Sequence, residues 1–169
     1  MRITDLLKKE SISLNRKIGS KAEAIDLLVG LHENAGNLND KEEYKKAILA
    51  REAQSSTAVG DGIAIPHAKT SAVKAPALAA VTVPDGVDYE ALDNNPSNLL
   101  FMIAATEDGD VHLEVLSRLM VLLMDGEFKA ELLKAKTPDE FLNIIDKKES
   151  EKYPEEKKEE PKSEEKKEG

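Results

Sequence analysis

Apolar positions recur along the chain with two periods, and they divide it into helices and strands. Ala24, Ile25, Leu27, Leu28 and Leu31 share one face at helical spacing. Ser20 precedes them and Glu23 follows three residues later, the capping-box pattern, and Gly36 is a plausible stop. A second helix is expected from Asn39 or Asp40, with Tyr44, Ala47 and Ile48 on one face and Arg51 continuing it inward. The period then changes. Residues 55–66, SSTAVGDGIAIP, hold short β-leaning pieces broken by Gly60 and Gly62. Residues 77–83 read as a strand. Residues 99–105, LLFMIAA, form a continuous apolar run of strand length, most simply a central strand covered on both faces. The intervening residues 88–98 read as loop and turn.

Helical spacing returns at Asp110, a candidate cap for a helix over residues 111–124 that is apolar on most sides and so expected to be largely buried. Gly126 separates it from a helix around residues 127–135. Thr137, Pro138 and Glu140 open another, with Phe141, Leu142, Ile144 and Ile145 as its buried face. This order predicts an α/β chain of the mixed α+β kind: a single domain with a mixed β-sheet flanked by helices.

Composition adds a boundary. Of 169 residues, 34% are charged and the net charge is -9. Residues 147–169 alone hold eight lysines and nine glutamates around one apolar residue, Tyr153. Without them the charged fraction falls close to the globular average of about 25%. Residues 1–146 are therefore expected to be the compact domain. Residues 147–169 are expected to be a disordered charged tail or an interdomain linker, since their apolar surface is too small to offset the entropy of ordering.

Charge excludes one class of partner. The body is acidic, whereas a nucleic-acid binder needs clustered Lys and Arg. No apolar run is long enough to span a bilayer, and the start MRITDLLKKES lacks the basic and apolar regions of a signal peptide, so a cytoplasmic location is expected. There are no cysteines, hence no thiol nucleophile and no thiolate metal site. No acidic cluster has metal-ligand spacing, so neither a metal nor another cofactor is expected.

Three histidines remain as candidate chemistry. His32, beside Glu33 and Asn34 near a helix end, reads as a surface histidine that suits the helix dipole. His67 ends the run GDGIAIPH, in which glycines permit a close approach to the backbone and Pro66 limits where the next residue points. An imidazole held at a strand end lies where open α/β sheets place ligands. His112 falls in the first turn behind Asp110, where free N–H groups favour anions and a histidine stays neutral. Each has a plainer reading, His67 as a surface residue and His112 as a polar cap-turn residue. Arg51 precedes the glycine-bearing segment and has the planar fork that suits phosphate, although it also suits a helix end.

The combination of Arg51, Glu52 and Thr57 with GDGIAIPH and DGDVHLEVLSRLMVLL resembles enzyme IIA domains of the fructose-mannitol type. These belong to the bacterial phosphoenolpyruvate-dependent sugar phosphotransferase system. The resemblance covers residues 3–146. It implies that His67 is phosphorylated by the phosphocarrier HPr and passes the group to a IIB domain, in uptake and phosphorylation of a sugar, fructose foremost. His112 would orient the site and Arg51 would stabilise the phosphoryl charge, with Thr57 and backbone N–H groups near Gly62 as further donors. It also implies Nε2 as the phosphorylated nitrogen. The chain would be a phosphotransferase, with the IIB domain in the same longer polypeptide, no direct sugar binding, and a membrane only through a linked IIC domain. Ala68 departs from the glycine frequent after this histidine, a small-for-small exchange. An acidic body suits docking to a basic face of HPr.

Two rival readings stand beside this one. A regulatory, nitrogen-type IIA protein would share the fold and control partners through its phosphorylation state. A zinc site on His67 and His112 lacks an HExxH motif and an evident third ligand.

Overall fold

The computed structural model describes residues 2–156. Its elements, in chain order, are α1 (Ile3–Leu6), β1 (Leu7–Ser13), α2 (Lys21–Asn34), α3 (Lys41–Gln54), β2 (Ala58–Gly60), β3 (Ile63–Ala64), β4 (His67–Lys69), β5 (Ala77–Val87), β6 (Ser97–Ala105), α4 (Val111–Leu123), α5 (Gly126–Lys134) and α6 (Pro138–Lys152).

The helix boundaries follow the capping residues. Ser20 accepts the Glu23 N–H, and the Glu23 carboxylate turns back to the N–H of Gly19 at 2.9 Å. Asp40, Asp125 and Thr137 cap α3, α5 and α6 in the same way. Gly36, at φ +77°, ends α2 by turning the chain through the left-handed region.

The six strands form one mixed sheet in the order β1-β5-β6-β3-β2, with β4 also paired to β6. β6 is the central strand. It runs antiparallel to β5 on one side and parallel to β3 and β4 on the other. Its alternation sorts the core into two layers. Leu100, Met102 and Ala104 face α2 and α3. Leu99, Phe101 and Ile103 face α4, α5 and α6. The sequence therefore placed the central strand correctly, and β5 runs on to Val87 beyond the expected end at 83.

Three expectations change. His32 is fully buried, not a surface residue. It continues the stripe of Ile25, Leu28 and Val29, and its ring is held at Nε2 by the Met102 carbonyl and at Nδ1 by Asn37, both at 3.0 Å. A carbonyl can only accept, so Nε2 carries the proton and Nδ1 accepts from the Asn37 amide. Burial holds the pKa of this imidazole down to about 4.

α4 is only half buried. Val115, Leu119, Leu122 and Leu123 enter the core, whereas Leu113 and Met124 are 53% and 82% exposed. Packing also continues past Asp146. α6 runs on to Lys152, and the fully buried Glu149 accepts the N–H of Ile3 at 2.7 Å. Arg118 of α4 donates to Glu149 at 3.3 Å, grips both carboxylate oxygens of Glu156 and lies over the Tyr153 ring. Charge density hid this clasp, because Glu149 looks like any other tail glutamate until its donors from the N-terminus and α4 are present. The rest of the expected tail, 157–169, lies outside the described residues.

His32 makes stability depend on pH. Its folded pKa lies below the ordinary 6.5, so the unfolded chain binds the proton more tightly. Stability from this residue is complete above pH 6.5 and drains away as pH falls to about 4, by about 3 kcal/mol in all. Urea unfolding from pH 7 to 4 should therefore show a shallower pH slope in His32→Gln than in the unsubstituted chain. Equal slopes would contradict the buried neutral imidazole.

Candidate active site

One row of alternating residues builds the site. Ile63 and Ile65 point into the layer under α4, α5 and α6. The same side of the edge then carries His67 and Lys69, while Ala64 and Ala68 face the opposite layer. The two isoleucines fix the register of this edge, and His67 emerges where the core ends. Its partner across the sheet is Ile103, near the C-terminal end of β6. Pro66 has no N–H to offer, but its carbonyl accepts the Ile103 N–H at 2.9 Å. The strand therefore stays paired through the proline.

The His67 ring is half-exposed and tied by one bond. Nδ1 lies 2.8 Å from the carbonyl of Ile65. A carbonyl only accepts, so Nδ1 carries the proton. Nε2 of the neutral ring then holds a free lone pair. The Ile65 carbonyl is itself held, because the Ile65 N–H donates to the Thr57 carbonyl at 3.0 Å.

His112 is brought to the same place. It occupies the first turn of α4, which a short connection, residues 106–110, joins to the end of β6. Lys69 of β4 reaches Asp110, the residue before α4, at 3.5 Å. Asp110 occupies the cap position but makes no side-chain cap bond, unlike the caps of α2, α3, α5 and α6. The N–H groups of Leu113 and Glu114 donate to the Asp110 carbonyl, whereas those of Val111 and His112, at the very start of α4, receive no side-chain cap from Asp110. The pKa of His112 is lowered by partial burial first, then by the neighbouring Lys69 and His67, with Asp110 opposing. Its Nδ1 is buried without a partner. A bare acceptor there costs less than a buried N–H with nothing to donate to, which favours the proton on Nε2.

The other expected residues lie differently. Arg51 sits in the last turn of α3 and donates to the Ser55 carbonyl at 2.9 Å. It does not continue the buried face. Positions seven and eight residues after Tyr44 straddle that face, and Glu52 turns inward instead because four donors await it. These are the Thr57 N–H at 3.2 Å, the Thr57 hydroxyl, the Tyr89 hydroxyl at 3.2 Å and Lys21 at 3.0 Å. Thr57 is accordingly buried with its hydroxyl committed to Glu52, and supports the hairpin from beneath.

Gly62 is not beside His67. It forms the two-residue turn between β2 and β3 with Asp61, both at positive φ. Its carbonyl accepts from Asn98 and Leu99 at the start of β6. It precedes His67 by five positions of near-extended chain, roughly 16 Å. The glycine serves the turn, not the imidazole.

The family model described as phosphoenolpyruvate-dependent sugar phosphotransferase system, EIIA 2, matches residues 5–148. The chain belongs to this family. It is 53% identical over 146 residues to the fructose-specific EIIABC component of the phosphotransferase system of Bacillus subtilis. That match covers 86% of the chain and 23% of the relative, so the chain spans about a quarter of that protein. The fructose-specific EIIA component of Haloferax volcanii is 37% identical over 85% of the chain and 94% of its own length. Among solved structures, the nitrogen regulatory protein IIA-Ntr of Neisseria meningitidis superposes with a TM-score of 0.78 at 28% identity, covering 85% of the chain and 98% of its own. The mixed sheet flanked by helices is therefore the fold of the EIIA family, as the sequence implied.

Sequence reasoning missed Lys69 and Tyr89, and named Glu52 in the motif without giving it a role. Lys69 had a legible signal in its spacing of two from His67, which puts both on one side of a strand. Gly62 gives a test of its reassigned role. A Cβ there would lie 2.5 Å from the Asn98 Oδ1, at φ +77°. Gly62→Ala should lower the unfolding free energy by at least about 1–2 kcal/mol, measured by urea titration, without moving the His67 ring resonances. Unchanged stability would contradict the turn geometry.

Proposed function

We propose that the chain is the phosphocarrier module of a sugar phosphotransferase, accepting a phosphoryl group on Nε2 of His67 from phospho-HPr and passing it to a IIB domain. The observation that carries this reading is the Nδ1–H bond to the Ile65 carbonyl at 2.8 Å, which leaves Nε2 as the nucleophile. Fructose is the proposed sugar of the pathway, supported by the names of the Bacillus and Haloferax relatives. A IIB acceptor in the same polypeptide is supported by the EIIABC designation of the Bacillus relative.

The chemistry needs no proton to move. The Nε2 lone pair forms the new N–P bond as the donor's bond to phosphorus breaks, its electron pair leaving with the donor. The proton stays on Nδ1, donated to the Ile65 carbonyl, throughout. The transferred group passes through a loose transition state with charge spread over its equatorial oxygens, so catalysis is positioning and electrostatics. His112 Nε2–H and the first N–H groups of α4 are the donors proposed for those oxygens. Arg51 is proposed to join them through guanidinium N–H groups that its bond to the Ser55 carbonyl leaves unused. Among the described residues no group of three His, Cys, Asp or Glu side chains stands together as a metal site, and none of the helices is long and apolar enough to cross a membrane.

A regulatory role is the second reading, supported by the superposition on IIA-Ntr. Both readings require phosphorylation of His67, and they differ in where the group goes. Incubation with phosphoenolpyruvate, enzyme I and HPr should label the chain, and His67→Ala should abolish the label. Label retained in that variant would refute the site. His112→Ala and Arg51→Ala should slow labelling by about tenfold or more with the fold intact. Chase onto a fructose-type IIB domain supports the carrier role, whereas label that stays on the chain favours the regulatory one.

A further inference from the structure

Lys69 has no role in the reading above, yet it is a cation two positions from the reacting ring on the same side of the strand. His67 and Lys69 are two residues apart on β4, with the buried Ala68 between them facing the other layer. The ammonium of Lys69 meets one acceptor, the Asp110 carboxylate, at 3.5 Å, and the two side chains are 34% and 74% exposed. A pair so long and so open is worth little and is easily exchanged. Asp110, for its part, forgoes the side-chain cap that Ser20, Asp40, Asp125 and Thr137 all make. The ion pair therefore joins the strand of one histidine to the helix of the other, at little cost to break.

We propose that Lys69 is the cation of the phosphorylated site, exchanging Asp110 for the phosphoryl oxygens when Nε2 of His67 carries the group. The inference rests on His67 being the phosphoryl acceptor. The lysine stem is four flexible carbons ending in a point charge with three donors, so a short swing suffices. A dianionic group is a stronger partner than a single exposed carboxylate. No bond to Lys69 forms or breaks, and it remains an ammonium before and after. The phosphoryl group and Asp110 are thus rivals for one charge, and Asp110 tunes how tightly the domain keeps its cargo.

Rivalry gives a signature that a structural latch lacks. The readout is the equilibrium constant for phosphoryl exchange between HPr and the full chain, with the phosphorylated fraction of each measured by intact mass spectrometry. An equilibrium between free partners is indifferent to how well they dock, so it isolates the stability of the phosphohistidine. Lys69→Gln should shift the constant toward phospho-HPr by about tenfold at low salt, and Lys69→Arg should stay within about twofold of the unsubstituted chain. Asp110→Asn should shift it several-fold the other way. Equal constants for Lys69→Gln and the unsubstituted chain would overturn the proposal. So would a fall in both Lys69→Gln and Asp110→Asn, the outcome of a mere latch. Failure of the unsubstituted chain to accept label at His67 would overturn both this inference and the acceptor reading. Label at His67 with an unmoved Lys69→Gln constant would overturn this one alone.

Discussion

The hydrogen bond from Nδ1 of His67 to the Ile65 carbonyl decides what the site can do. Imidazole has two nitrogens, and only the one without a proton is a nucleophile at neutral pH. Fixing the proton on Nδ1 fixes the lone pair on Nε2 and points it away from the strand. Everything beneath serves to keep that carbonyl still. The Ile65 N–H is paired to the Thr57 carbonyl, Thr57 is paired to Glu52, and Glu52 is closed off by Tyr89 and Lys21. A buried carboxylate with four donors is a rigid support, since losing any one of them leaves charge uncompensated.

Placement of the ring follows from the sheet. Alternation along the β3–β4 edge buries Ile63 and Ile65 and so compels His67 and Lys69 to emerge on the same side. The central strand ends at Ala105, and the chain returns as α4 with its N-terminus at that end of the sheet. A histidine with a free Nε2 lone pair, a helix N-terminus and a lysine thereby meet at one end of the sheet. The same helix is anchored at Arg118 to Glu149 and Glu156, so the position of His112 is tied to the C-terminal end of α6.

Much of this was legible before any coordinates. Caps at Ser20, Asp40 and Thr137, the central apolar strand and the emergence of His67 after Pro66 all follow from local rules that depend on a few neighbouring residues. The residues that could not be read depend on distant partners. His32 looks exposed beside Glu33 and Asn34, and only the Met102 carbonyl and Asn37 explain its burial. Arg51 and Glu52 compete for one helical face, and donors 5 and 37 residues away choose Glu52. Gly62 shares a motif with His67, but an extended strand makes neighbours in a motif distant in space. The charge run after Asp146 concealed Glu149 for the same reason, because burial of a carboxylate is decided by the donors that meet it.

The central claim is a statement about two nitrogens, and nitrogen-15 NMR of the His67 ring reads both. Before phosphorylation at neutral pH the ring should show the proton on Nδ1 and an unprotonated Nε2. After phosphoryl transfer the coupling to phosphorus should appear at Nε2, with the proton still on Nδ1. A proton on Nε2 in the resting chain, or phosphorus coupled to Nδ1, would contradict the account.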